Sequence, residues 1–355
     1  MQPETAPAES PAPSLAVAGP LPSGPPPAGP PPARRRGIVR LIALYLVTAW
    51  ALVTLLFVIP RAIPGDPLAV LADSGGLPPD TRALFMSQYG LDRPLVAQYG
   101  HFLNRLAHGD LGQSIASQVP VSFLLRANLP WTLLLVGSSL LLSSLLSFRM
   151  GISAAWRRGE RSDRALLAVS TGLHALPDYA LATFFLIAFA VVLRAFPIAA
   201  GSTPFSAGRP ILWRVGDVTR HLVLPCASLT LGLTGTKVLL VRNVTIGVLG
   251  QDYMVLARAK GLPERTLKYH HAGRNTLLPF LGLIGTQAGV AVGGAIFVET
   301  VFAYPGLGNL MVGAVNNLDY PVIEACFIVL AMFVLTANLA VDVVSAFLDP
   351  RLGRR

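Results

Sequence analysis

Long apolar runs recur along almost the whole of this chain, separated by short charged clusters, and they restrict it to one kind of solvent. Runs at 38–60, 130–148, 165–193, 221–241, 277–302 and 322–347 are each long enough to cross a bilayer, which takes about twenty residues. In hydrocarbon every backbone polar group must be satisfied within its own segment or a closed sheet, so runs of this length are helices. Of the 355 residues 53% are hydrophobic and only 13% charged, against about 25% charged in a soluble globular domain. The expected fold is an all-α integral membrane protein with six transmembrane helices spread over 38–348.

The remaining segments divide by composition. Residues 1–37 are rich in Pro and Ala, with Glu4 and Glu9 the only acids. Such a leader cannot bury enough surface to offset its ordering entropy and is expected to be disordered. Residues 61–128 are too polar to cross and too long for a tight turn, so an extracytoplasmic loop is expected there. Pro177-Asp178 interrupts the third run, where proline removes a helical hydrogen bond and predicts a kink. Lys and Arg settle on the cytoplasmic side. Six spans with both termini inside place 18 basic residues in inner segments and 9 in outer ones. Both termini, with a short tail at 349–355, are therefore expected in the cytoplasm. The net charge of +10 is accounted for by these clusters; no interleaving of basic and aromatic residues points to nucleic acid. Cys226 and Cys326 both lie in apolar runs and read as small buried hydrophobes.

Between the fourth and fifth runs lies an island of charge, QDYMVLARAKGLPERTLKYHHAGRNTLLPF, at 251–280. Asp252 near the start and Arg258 and Lys260 near the end of 252–260 suit a helix dipole. Gly261 supplies a left-handed C-cap and Pro263 can open a second helix. The expectation is helix, glycine turn, helix: a short rigid elbow. Adjacent His270 and His271 point to different sides of a helix and do not form a metal pair, and no metal site is expected. No G-x-x-x-x-G-K-[ST] phosphate loop exists in the chain; GLTGTK at 232–237 lacks the order and lies within a span.

The island, with its Tyr253, Ala257, Arg258, Ala259, Lys260, Gly261 and Leu262 and then His271, Arg274, Asn275, Leu278 and Pro279, resembles the coupling loop of ABC importer permeases. It is most similar to the branch that imports dipeptides, oligopeptides and nickel. IPGDP at 63–67, GLDRPLVAQY at 90–99, GDLGQS at 109–114, HLVLPCASLTLG at 221–232, VETVFAYPGLGNL at 298–310, DYP at 319–321, NLAVD at 338–342 and DPR at 349–351 resemble the same branch, in order. The resemblance implies a type I ABC importer permease fold with a cytoplasmic coupling helix in a coupling loop at 251–276, in the bacterial cytoplasmic membrane. It implies a second homologous permease, two ABC ATPase subunits and an extracytoplasmic substrate-binding protein as partners. ATP and Mg would be bound by the ATPases, with no cofactor and no catalytic residue in this chain. The general importer signature has a glutamate where this chain has Val255, which leaves Asp252 and Arg258 as candidates for the charged ATPase contact.

Asp178 and Glu299 are candidate pathway residues, ionisable groups within spans being functional by default; Glu299 and Asp342 can equally lock helix ends. Gly285, Gly289 and Gly293 recur on one face of the fifth run and mark close helix packing, within the chain or against a second permease. Peptide import is the leading reading, and import of nickel or another small solute by the same branch is the alternative. An ion-driven secondary transporter would show paired broken helices, and no second copy of the Pro177 break is seen. An intramembrane hydrolase would need a nucleophile beside His174 and Asp178, which has no motif here.

Overall fold

The computed structural model describes residues 33–62, 83, 84, 86, 87 and 92–348. Most of the leader, the IPGDP run and the tail at 349–355 lie outside the described residues. The helices are α1 (Ala33–Ala62), α2 (Leu95–Ala107), α3 (Val121–Trp156), α4 (Arg161–Ala175) and α5 (Asp178–Phe185), which runs on through a π-helical segment at Leu186–Val192. Then come α6 (Ile211–Leu249), α7 (Asp252–Ala259), a π-helical segment at Thr266–Gly273 leading into α8 (Arg274–Val301), α9 (Leu307–Asn316) and α10 (Tyr320–Leu348). Among the described residues the only extended pairing is an isolated bridge between Gln113 and Pro120.

Two helices outrun the apolar stretches that announce them. The run at 130–148 is the middle of α3, and the run at 221–241 is the inner part of α6. Pro130 and Pro225 lie inside these helices rather than at their ends. Neighbouring groups make such prolines tolerable in membrane helices. At 36 and 39 residues, α3 and α6 are about 54 and 58 Å long, well beyond a hydrocarbon core of about 30 Å.

The third run is not a kinked helix but two helices, bent by 102°. Pro177 pushes the residue before it out of the helical region. Leu176 and Pro177 are both extended, with ψ of 132° and 143°, and two extended residues in a row end one helix before the next begins. By length and apolarity four helices among the described residues can cross a membrane, or five if the bent pair counts as one span. The apolar part of α1, Ala43–Ile59, is shorter. Four or five spans therefore pass this test where six runs were expected.

Packing centres on α6, which lies along α3, α4 and α8, while α8 also packs on α10. Small residues bring the backbones together. A Cβ on Gly151 of α3 would lie 2.6 Å from Val241 Cβ, and one on Gly235 of α6 would lie 2.5 Å from the Ser170 carbonyl of α4. Arg242 Nε and Nη2 donate to Asp163 at 2.6 and 2.7 Å and tie α6 to α4. The main core gathers Leu135, Leu229, Ala291, Val298, Tyr304, Leu307, Ile323 and Cys326. On the outside, Leu141, Leu145 and Val192 are exposed, as apolar side chains facing lipid are.

Candidate functional site

The charged island folds as an elbow seated on the ends of two long helices. Gln251, extended at φ −82° and ψ 148°, leads into α7 with Asp252 in the first turn. Gly261 adopts φ +70°, and its N–H donates to the Arg258 carbonyl at 2.9 Å. The Pro263 carbonyl then accepts from Thr266 N at 2.9 Å and Leu267 N at 3.0 Å, starting the next helical turn. That turn is π-helical, a winding not expected from the sequence and one that recurs at functional sites.

The underside of the elbow is apolar. Met254 and Ala257, three apart and so on one face of α7, are buried with Leu267 and Ala272. Beneath them lie Trp156 from the end of α3, Val248 and Leu249 from the end of α6, and Leu262. Trp156 Nε1 donates to the Glu264 carboxylate, and the Arg258 guanidinium lies 5.8 Å from the Trp156 ring centroid. Asn275 Nδ2 donates to the Tyr253 hydroxyl at 2.8 Å and to the His271 carbonyl at 3.0 Å, so the two halves of the motif meet across the elbow.

The outer surface is unlike the underside. Val255 and Leu256 are 61% and 57% exposed, flanked by exposed Asp252, Tyr253, Arg258, Ala259, Lys260 and Gly261. Arg274 and Asn275 are also exposed and His271 partly so. Val255, at the position of the general signature's glutamate, therefore points outward and makes the tip apolar. Among the described residues no group of three or more His, Cys, Asp or Glu is placed to hold a metal.

Of the two candidate pathway acids, Glu299 is fully buried and fully engaged. Its carboxylate accepts from Thr132 Oγ1 at 2.7 Å, Gly308 N at 2.6 Å and Asn309 N at 3.2 Å. Thr132 Oγ1 in turn accepts from Leu307 N at 2.7 Å. These N–H groups are the first turn of α9, which has no side-chain cap of its own, so Glu299 and Thr132 cap it from two other helices. A Cβ on Gly306 would land on this carboxylate, and one on Gly308 would lie 2.8 Å from Oε2. Asp178 is different: half-buried at the start of α5, it makes no hydrogen bond or ion pair with any described residue.

The glycines of α8 divide as well. A Cβ on Gly285 would meet Asn338 and Val341, and one on Gly289 would meet Val334, all on α10, while Gly293 has nothing within 4 Å. Several other polar groups find partners across the bundle. Asp319 accepts from Ser114 Oγ at 2.5 Å and from Ile115 N and Ala116 N at 3.1 and 3.2 Å, joining the DYP and GDLGQS motifs. Glu324 pairs with Arg61 of α1. Lys237 is buried against Ser143 Oγ at 2.7 Å, and Asp342 accepts from the Tyr45 hydroxyl at 2.9 Å.

A bundle of membrane-length helices with an ordered elbow on its helix ends defines a multi-pass membrane protein. Residues 147–354 match the family described as binding-protein-dependent transport system inner membrane component, and the chain belongs to that family. It is 30% identical over 337 residues to the Di/tripeptide transport system permease protein DppB of Pseudomonas aeruginosa, covering 89% of this chain and 98% of that protein. It is 34% identical over 297 residues to the Oligopeptide transport system permease protein AppB of Bacillus subtilis, covering 83% and 92%. The Dipeptide transport system permease protein DppB of Escherichia coli is 29% identical over 334 residues, covering 90% and 98%. The chain is thus a multi-pass inner-membrane permease, which replaces the secondary-transporter and hydrolase alternatives.

Proposed function

We propose that this chain forms half of the translocation pathway of an ATP-driven importer of dipeptides or oligopeptides. The names of its relatives support the peptide substrate. A second homologous permease completes the pathway, an extracytoplasmic binding protein delivers the peptide, and two cytoplasmic ATPase subunits bind ATP and Mg and drive the cycle. The elbow formed by α7 and Gly261 is the coupling element, and both termini share its cytoplasmic side.

One observation carries the coupling role. The underside of α7 is packed on the ends of α3 and α6, while its outer surface presents Tyr253, Val255 and Leu256 with charged neighbours. A rigid seat with an exposed apolar tip suits a helix that receives force from another protein; contiguous exposed apolar surface marks interaction sites. The test is co-purification of the ATPase subunits with Val255→Asp/Leu256→Asp. Loss of the ATPases with the permease pair intact is expected, and normal assembly with normal transport would sink the assignment. Titrating the partner binding protein with dipeptides, longer peptides and nickel chelates decides between peptide and nickel import.

A further inference from the structure

The four buried acids described above are each answered by a partner, and half-buried Asp178 is not. Glu299 is held by Thr132 and the first turn of α9, Asp319 by Ser114 and two backbone N–H groups, Glu324 by Arg61 and Asp163 by Arg242. Asp178 has none, yet the surrounding helices are built around it. A Cβ on Gly232 of α6 would lie 2.6 Å from its Oδ1, and a Cβ on Gly294 of α8 would lie 2.6 Å from its Oδ2. Two helices thus carry glycine where any side chain would displace this carboxylate. It stands at the first position of α5, where the N–H groups of a helix start point toward negative charge.

The carboxylate also stands at the edge of an open face. Tyr179 next to it and Phe297 on α8 are each 55% exposed, and their ring centroids are 6.5 Å apart. Gly293 beside them has nothing within 4 Å. Gly294 lies seven residues before the end of α8, about 10 Å along the axis, so this face is within the depth of the bundle. An intramembrane acid faces a cavity or pairs with a cation, and no described residue pairs a cation with Asp178.

We propose that Asp178 is the cation site of the pathway, taking the protonated α-amino group of the peptide in transit, with Tyr179 and Phe297 forming the apolar wall beside it. The proposal rests on the peptide-importer reading and adds a residue and a charge to it. An α-amino group has a pKa of about 8 and is protonated at neutral pH. A single ion pair without a hydrogen-bonded cage holds such a group loosely enough for release.

The test has two arms. In the complete transporter reconstituted with its binding protein, uptake of a dipeptide of two alanines is compared between wild type, Asp178→Asn and Asp178→Glu. Uptake is expected to fall at least tenfold in Asp178→Asn, with Asp178→Glu keeping at least a third. Equal loss in both variants, or no loss in Asp178→Asn, overturns the proposal. The second arm keeps Asp178 and needs no peptide. Phe297→Cys in the assembled complex is labelled with a cationic and an anionic methanethiosulfonate of similar size. The cationic reagent is expected to react at least fivefold faster relative to the two reagents' rates with a free thiol. Equal rates, a preference for the anion or no reaction overturn the proposal. If wild type takes up no dipeptide, the peptide reading falls, while the labelling ratio still decides whether this face is cation-selective.

Discussion

Around Glu299 a single carboxylate does the work of a helix cap from a distance. Its three hydrogen bonds reach Thr132 on α3 and the first turn of α9, so removing its charge leaves two backbone N–H groups facing an amide. Glu299→Gln is expected to lower stability by about 1–3 kcal/mol, read as a drop in the thermal unfolding temperature of the purified permease pair. Gly306→Ala is expected to be worse and to abolish accumulation of the folded protein, because the added methyl lands on the carboxylate. The neighbouring Tyr304 hydroxyl is buried without a partner among the described residues, and burial raises its pKa. Tyr304→Phe removes a group that gains nothing, so it is expected to leave stability unchanged or raise it by up to about 1 kcal/mol. At this scale the sequence was half legible. The motif holding Glu299 and its two glycines stood out as a string, but its meaning is a contact between residues 132, 299 and 308, and nothing local encodes that distance. Asp178 and Glu299 looked alike in one dimension for the same reason.

Among elements, the elbow was the most legible because its determinants are local. An acid at the start, a glycine at the turn and a proline two residues on specify a capped short helix wherever it lies, and Gly261 adopts φ +70° as that logic requires. Gly261→Val places a branched side chain in the left-handed region at roughly 1–2 kcal/mol. It is expected to reduce peptide-stimulated ATP hydrolysis by the reconstituted complex several-fold, whereas Gly261→Asn, a residue that tolerates this conformation, keeps most of it. The bend at Leu176 and Pro177 was legible as a break but not as an angle. Proline announces the interruption, and whether the chain kinks or turns by 102° depends on how α4 and α5 each settle against α6. The true lengths of α3 and α6 were hidden because the apolar signal stops where helices leave hydrocarbon, while helical hydrogen bonding does not.

For the whole molecule the alternation of apolar and basic stretches carried the class of protein, since bilayer thickness and backbone satisfaction leave few solutions. The proposed orientation has its own test. Cysteines replacing Lys260 on the elbow and Phe205 on the far loop are expected to react with an impermeant thiol reagent from opposite sides of intact cells, the first only after permeabilisation. One further consequence follows from α3. The same rod carries Thr132 beneath the cap of α9 and Trp156 beneath the elbow, 24 residues apart or about 36 Å. A tilt of 10° about its midpoint would move the two ends about 3 Å in opposite directions, as much as the length of a hydrogen bond. If the elbow receives force as proposed, a rigid α3 would carry a push at Trp156 to Thr132 and its hydrogen bonds with Leu307 and Glu299.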